Sequence, residues 1–475
     1  MFDWVSSWIL AIRPYRPETQ PLVTADLSAW VQAGSASSLL APRDTPEQSV
    51  IAAVNAHVAE LGSWGWPTAQ QGIWFQSGRG VLARHQGTEP LPAASLTKIA
   101  TTLVALDVWG PDYQFETQVR YRGAIANGVL TGDLIIHGGG DPFFVWEEAI
   151  ALGNALNELG IQTVTGDLVI SGAFTMNFQE DPSVSGALLQ RGMNATRWPL
   201  EAQQQFATMS QPTRRPSVTI QGRVRVLPSD NVNQVLPSQV LGQDNRVPGV
   251  ITDEGATGLV SDGGAIAQDT PDPTVLIRHW SVPLIEMLRQ MNLYSNNFMA
   301  EALATEAGGA EVVASRAASM TGVPANEIQL VNGSGLGVDN RISARAVCSM
   351  LLSVQGMLTS SGWSVADVFP VAGLDQGTIE RRNIPSYSAV KTGTLATVSA
   401  LAGAIPTGES EQDVVWFAVI NWGSDLDILR DQQDVLLQGL ERRTVTNGAI
   451  ARRAIQNQPE LTLGAPQRND IVARF

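Results

Sequence analysis

Among the 30 basic residues of this chain only two are lysines, Lys98 and Lys391; the rest are arginines. An amine can lose its proton in a suitable site and act as a base, which a guanidinium effectively cannot. Ser95-Leu96-Thr97-Lys98 sets an amine three residues after a hydroxyl. On a helix those two side chains share a face, so the Lys98 amine reaches the Ser95 oxygen. The chemistry this spacing offers is nucleophilic: a serine activated by a neighbouring base, at a helix N-terminus whose free N–H groups favour a developing oxyanion.

The second lysine opens Lys391-Thr392-Gly393-Thr394, in a strand-like context. Gly393 allows a backbone to approach closely, as a strand beside a bound substrate requires. Lys391 offers a cation for a terminal carboxylate, and Thr392 and Thr394 offer hydroxyls and backbone donors. Ser388-Ala389-Val390-Lys391 repeats the Ser-x-x-Lys spelling, but residues three apart on a strand point to opposite faces, so Ser388 and Lys391 are not expected to meet.

A serine-amide pair has two candidates. Ser229-Asp230-Asn231 lies in a Pro-rich, turn-like stretch; Ser295-Asn296-Asn297 follows the helical pattern Leu284, Ile285, Leu288, Met291. A rigid helical mount favours Ser295 and Asn297.

The elements that must hold these groups follow from periodicity. Residues 48–61 read as an amphipathic helix stopped by Gly62, and 72–76 and 80–85 as a hairpin. Leu96, Ile99, Leu103 and Leu106 continue a helix from Ser95 that ends at Gly110-Pro111. Strand patterns cover 115–136, a helix 147–159, and strands return at 168–171 and 217–226. Residues 227–275 are dense in Pro, Gly, Asp and Asn, a boundary signal. Helices then cover 283–308, broken near Tyr294-Ser295, and 343–354, and strands 388–405 and 414–422. The fold class expected is α/β (α+β), an antiparallel sheet flanked by helices and split by a large excursion. The catalytic domain is assigned to 1–118 and 272–475, a mostly β inserted domain to 119–143 and 217–271, and a nested module to 144–216.

The order Ser-x-x-Lys, Ser-x-Asn, Lys-Thr-Gly is that of penicillin-binding proteins and class A β-lactamases. With Pro92 to Lys98, Gly110-Pro111-Asp112-Tyr113, Gly138-Gly139-Gly140-Asp141-Pro142, Tyr294 to Asn297, Asn332-Gly333-Ser334-Gly335-Leu336, Asn340 to Ser343 and Lys391 to Thr394, the chain resembles the D-Ala-D-Ala carboxypeptidase/endopeptidase family of penicillin-binding proteins that carries a large insertion between the first two motifs. Asn332 and Gly337 depart from the Asp and Ser usual there. The resemblance implies a serine transpeptidase/β-lactamase-like domain acting on peptidoglycan peptides and binding β-lactams, outside the cytoplasmic membrane. It implies Ser95 as nucleophile, Lys98 as base, Ser295 and Asn297 in proton relay and substrate holding, and Lys391, Thr392, Gly393 and Thr394 in substrate binding. Carboxypeptidase and cross-link endopeptidase activity both remain open.

Composition removes other classes. A net charge of −15 argues against a nucleic-acid partner. Cys348 is the only cysteine, and His57, His85, His137 and His279 are scattered, so neither a metal nor another cofactor is expected. Residues 2–12 are apolar but short for a membrane span, and Arg13 and Arg16 follow them where a secretory signal would have basic residues first, so no integral span is expected. His137-Gly138-Gly139-Gly140 lacks the Gly-x-Ser-x-Gly elbow of a lipase, and Gly333 to Gly337 reads as a tight loop beside the site rather than a nucleotide loop. A β-lactamase or esterase with the same trio, or a non-catalytic wall-binding module, are the alternative readings. Oligomeric state has no signal in the sequence.

Overall fold

The computed structural model describes residues 48–78, 80–209, 213–227, 273–407, 414–444 and 462–473. The rival Ser229-Asp230-Asn231 and the first 47 residues lie outside them. The described residues divide into two compact units, one within Glu116–Trp280 and Gly464–Phe475, the other of 48–115 with those of Ser281–Leu463.

The second unit is built on a five-stranded antiparallel sheet ordered Ala389–Leu395, Val398–Pro406, Val414–Trp422, Gln71–Ser77, Gly80–His85. The central strands are buried on both faces and read as near-continuous apolar runs, as in Val414-Val415-Trp416-Phe417-Ala418-Val419-Ile420. On one face Val50, Val54 and Val58 of helix Gln48–Ser63 and Leu436, Leu437 and Leu440 of helix Leu426–Thr444 form a core with Ile73, Phe75, Val390, Leu401 and Phe417. On the other, helix Ala344–Thr359 packs against the two middle strands and against helix Thr97–Trp109. The latter is buried from Thr97 to Leu106, mostly through apolar side chains, with Lys98, Thr101 and Thr102 buried among them.

A small sheet of Ile328–Gln329, Arg341–Ile342 and Leu91–Pro92 ties the lead-in of Ser95 to both ends of the 330–340 loop. Where the chain leaves this unit and returns, Phe115 N donates to Ser281 Oγ at 2.8 Å and Ser281 N to Phe115 O at 3.0 Å.

The first unit is a mixed sheet of eight strands with helices Trp146–Glu158, Pro182–Gly192 and Leu200–Thr208. Its core gathers Val119, Leu134, Ile136, Ile150, Leu168, Ile170, Leu276 and their neighbours. Two features depart from the segmentation expected above. Residues 144–216 form no separate module, because strands Thr163–Val164 and Leu168–Ala173 pair in parallel with Val129–Gly139 in the same sheet. Strand Asn469–Ile471, grouped above with the catalytic domain, pairs with Thr274–Trp280 of this unit. Arg468 reinforces that attachment, donating to Glu148 and to the Trp280 carbonyl. Such long-range pairings carry no periodic mark in a single segment.

Candidate active site

Ser95 sits in a 3₁₀ turn, Ala94–Leu96, from which the α-helix begins at Thr97 rather than at Ser95 itself. Ala94 before it holds a left-handed φ of 49°, a conformation that costs a residue with a side chain about 1 kcal/mol or more. The turn is over-determined from several sides. Ala93 N donates to Asn340 O at 2.9 Å. Gly335 lies so close that a Cβ there would stand 1.9 Å from Ala94 O. Gly393 is also flush, a Cβ at that position meeting Ser95 N at 3.1 Å. The close approach expected of Gly393 is therefore to the nucleophile turn.

Lys98 is fully buried, and its amine has three acceptors: Ser95 Oγ at 3.1 Å, Asn297 Oδ1 at 2.7 Å and the Ser334 carbonyl at 2.7 Å. Burial pulls its pKa down to about 7, with the Glu301 carboxylate opposing. The amine is thus poised to exchange a proton near neutral pH, a few ångströms from a hydroxyl that remains partly exposed.

Ser295 and Asn297 straddle a helix break. Helix Leu284–Leu293 ends, Ser295 turns the chain with a left-handed φ of 55°, and Asn296 caps the next helix by accepting from Met299 N. Lys391, on the edge strand Ala389–Leu395, donates to Ser295 Oγ at 2.9 Å and to the Thr392 carbonyl at 2.7 Å. Its amine is held well below the usual lysine range, first by burial and second by the charge of Lys98. Ser388 takes no part: its hydroxyl is buried without a hydrogen-bond partner. Thr392 is nearly buried and Thr394 is exposed, with Arg430 reaching the Thr394 hydroxyl at 3.4 Å.

All eight residues singled out in the three motifs thus belong to one unit, and the two lysines are linked to the two motif serines and to Asn297. Four contributors lie outside the three catalytic motifs. The Ser334 carbonyl is a backbone group, silent in any side-chain reading. Glu301 accepts from Gly333 N at 2.9 Å and Ser334 N at 3.1 Å. Asn340 accepts from Val331 N and Asn332 N, and donates to Leu336 O. Asn332 accepts from Gly335 N at 2.8 Å and donates to Leu336 O at 2.7 Å, so the residue that departs from the family pattern still shapes this loop. Asn332, Ser334 and Asn340 lie in stretches that carry the family resemblance, whereas Glu301 was not singled out, although it lies one helical turn after Asn297.

Residues 66–187 and 202–442 match the D-Ala-D-Ala carboxypeptidase 3 (S13) family, which is most of the chain. The chain belongs to that family. It is therefore a serine peptidase of the penicillin-binding kind, as the resemblance implied. An Actinomadura D-alanyl-D-alanine carboxypeptidase is 25% identical over 418 residues, covering 73% of this chain and 76% of that protein. The D-alanyl-D-alanine carboxypeptidase DacB of Haemophilus influenzae is 24% identical over 412 residues, covering 73% and 84%. In fold, the S13 peptidase is similar to a penicillin G-acylated predatory endopeptidase of Bdellovibrio bacteriovorus, with a TM-score of 0.63, 21% identity, and 84% and 98% of the two chains covered. It is similar also to penicillin binding protein 4 of H. influenzae, with a TM-score of 0.56, 18% identity, and 81% and 98% covered.

Proposed function

We propose that this S13 peptidase cleaves D-Ala-D-Ala-terminated peptidoglycan peptides through an acyl-enzyme on Ser95, and that β-lactams acylate the same hydroxyl. The observation that carries this reading is the Lys98 amine held between Ser95 Oγ, Asn297 Oδ1 and the Ser334 carbonyl. Neutral Lys98 takes the Ser95 proton as the oxygen attacks the carbonyl between the two alanines. The oxyanion is received by the backbone N–H groups of Ser95 and Thr394. Ser295, in contact with Lys391, passes a proton to the departing amine, and the C–N bond breaks to release D-Ala or the peptide that bears the amine side of a cross-link, the other side staying on Ser95 as the ester. Water then resolves the ester. Asn297 holds the substrate amide as well as Lys98.

Strand Ala389–Leu395 is an edge strand whose start pairs with Pro370 and Val371, so from Lys391 onward its outer N–H and C=O groups are available to an extended peptide laid alongside. Lys391, Thr392 and Thr394 then receive the terminal carboxylate. That anion also repays the burial of Lys391, since an opposite charge draws its pKa back up.

The substrate is outside the cytoplasmic membrane, so the protein acts in the periplasm or facing the wall. Among the described residues no helix is long and apolar enough to cross a membrane.

The test has two parts. Wild-type protein should take a covalent penicillin label that Ser95→Ala does not; label on the alanine variant would refute the nucleophile. Purified cross-linked peptidoglycan, with products identified by mass, separates the activities: loss of D-Ala from monomers is carboxypeptidase, conversion of dimers to monomers is endopeptidase. Neither product and no label would leave a wall-binding module as the function.

A further inference from the structure

Helix Asn297–Glu306 presents two polar groups one turn apart, Asn297 and Glu301. Asn297 meets the Lys98 amine directly, at 2.7 Å. Glu301 reaches the same amine by a second route. Its two carboxylate oxygens accept from two consecutive backbone N–H groups, Gly333 at 2.9 Å and Ser334 at 3.1 Å. The carbonyl of that same Ser334 is the acceptor 2.7 Å from Lys98 Nζ.

The chain is shaped to allow this clamp. A Cβ at Gly333 would stand 2.4 Å from Ala304 Cβ and 2.6 Å from Ala300 O, so only glycine lets the loop lie flat on the helix beside Glu301. Thr101 secures the other side, donating to Gly333 O at 2.8 Å.

The geometry points to Glu301 as a positioning residue for acyl transfer, fixing the Gly333–Ser334 backbone so that the Ser334 carbonyl holds the Lys98 amine toward Ser95. This deepens the peptidase reading given above and rests on it. Two consequences follow. The clamp orients the amine, so loosening it slows acylation at every pH. The carboxylate is also a charge acting on Lys98, favouring the ammonium form and opposing burial. The charged group acting on the Lys98 amine is Glu301 on this helix, and the Lys98 charge acts in turn on Lys391 of the edge strand. The other partners of the Lys98 amine, Ser95, Asn297 and the Ser334 carbonyl, are neutral. Removing the Glu301 charge should therefore move the pH at which Lys98 becomes a base downward.

The experiment follows acylation by labelled penicillin across pH 4–9 for wild type, E301Q and E301D, each checked for a wild-type melting transition. E301Q keeps the side-chain volume and one acceptor but loses the charge. It should show an acid limb shifted down by about one pH unit and a plateau lowered at least several-fold. E301D keeps the charge but withdraws by one methylene. Its plateau should fall while its acid limb stays with wild type; a limb that moves in E301Q and not in E301D is what loss of packing alone does not give. If the E301Q limb coincides with that of wild type, the proposal is overturned. If E301Q is not recovered folded, E301D decides: an undiminished plateau overturns the proposal. Wild-type protein that forms no acyl-enzyme overturns the peptidase reading and this proposal together, which distinguishes the two failures.

Discussion

Lys98 Nζ lies nearer to Asn297 Oδ1, at 2.7 Å, than to the Ser95 hydroxyl, at 3.1 Å, although Asn297 is 199 positions away in sequence and Ser95 three. The amine is anchored by the amide and the Ser334 carbonyl, which leaves its remaining capacity directed at the serine. Asn297→Ala should therefore cost more in rate than in stability. We expect penicillin acylation to fall by about 100-fold, with a loss of about 1–2 kcal/mol in unfolding free energy. Stopped-flow acylation and chemical denaturation measure the two, and an unchanged acylation rate would remove Asn297 from the machinery.

Lys98 titrates at about 7 in the folded protein and near 10.5 when unfolded. Acylation should rise with pH through a limb near 7, as the amine loses its proton. Between about 7 and 10.5 the unfolded chain binds more protons than the folded one, so the contribution of this residue to stability rises with pH across that window. Below it both states are protonated and the cost of burying the ammonium is fully felt. Lys98→Met removes that cost and should raise the melting temperature at pH 6 while abolishing acylation. A melting temperature lower than wild type would show that the three hydrogen bonds outweigh the burial.

The free carboxylate of the substrate is assigned to Lys391 and its neighbours. Lys391→Ala should lose about 2 kcal/mol or more of transition-state binding for free-acid peptides, read from kcat/KM. Arg430, beside the Thr394 hydroxyl and partly exposed, should matter less. We expect Arg430→Gln to raise KM a few-fold for the free acid and not for the C-terminal amide. Equal cleavage of acid and amide by the wild type would sink the assignment.

The nucleophile turn stores strain at Ala94. Ala94→Gly accommodates φ 49° without a Cβ and should stabilise the fold by up to about 1 kcal/mol. The freed turn should hold Ser95 less well and acylate more slowly. Gly335→Ala, by contrast, drives a Cβ into Ala94 O from a φ of 85° and should both unfold readily and lose the label. Thermal melts and labelling on one sample of each variant test the pair.

In the other unit Arg468 and Glu148 are both buried and paired, with His279 beside the same carboxylate. Arg468→Met leaves Glu148 without its guanidinium and should cost about 3–5 kcal/mol. Asp141 and Glu147 are pushed up to about 7, by burial above all. Between about 4 and 7 the folded unit binds more protons than the unfolded chain, so these two carboxyls make stability fall as pH rises. Hydrogen exchange of strand Leu168–Ala173 at pH 5 and 7 reads this; greater protection at pH 7 in the variant and in wild type alike would contradict it.

How much of this was legible beforehand follows from what sets each contact. Ser95 and Lys98 meet because they are three apart at a helix start, a purely local rule. Lys391 and Ser388 fail to meet for an equally local reason, the strand between them. The break at Tyr294-Ser295 was visible as an interruption of the apolar pattern. The left-handed turn at Ala94 was not, because alanine does not advertise such a conformation; its neighbours impose it. The Ser334 carbonyl and the Glu301 clamp join segments more than thirty residues apart through backbone atoms, which every residue possesses alike. The pairing of Asn469–Ile471 with Thr274–Trp280 was hidden for the same reason.

The scarcity of lysine has a practical side. Both lysines are sealed in the acyl-transfer centre, with no exposed surface at either side chain, and every other cationic side chain apart from histidine is a guanidinium. Reagents that couple to amines, which decorate most proteins indiscriminately, would here find neither lysine on the surface until the centre opens. Lysine acylation therefore becomes a built-in footprint of that opening. A nitrogen-15 lysine label would yield just two side-chain amine signals from this sequence, one from Lys98 and one from Lys391.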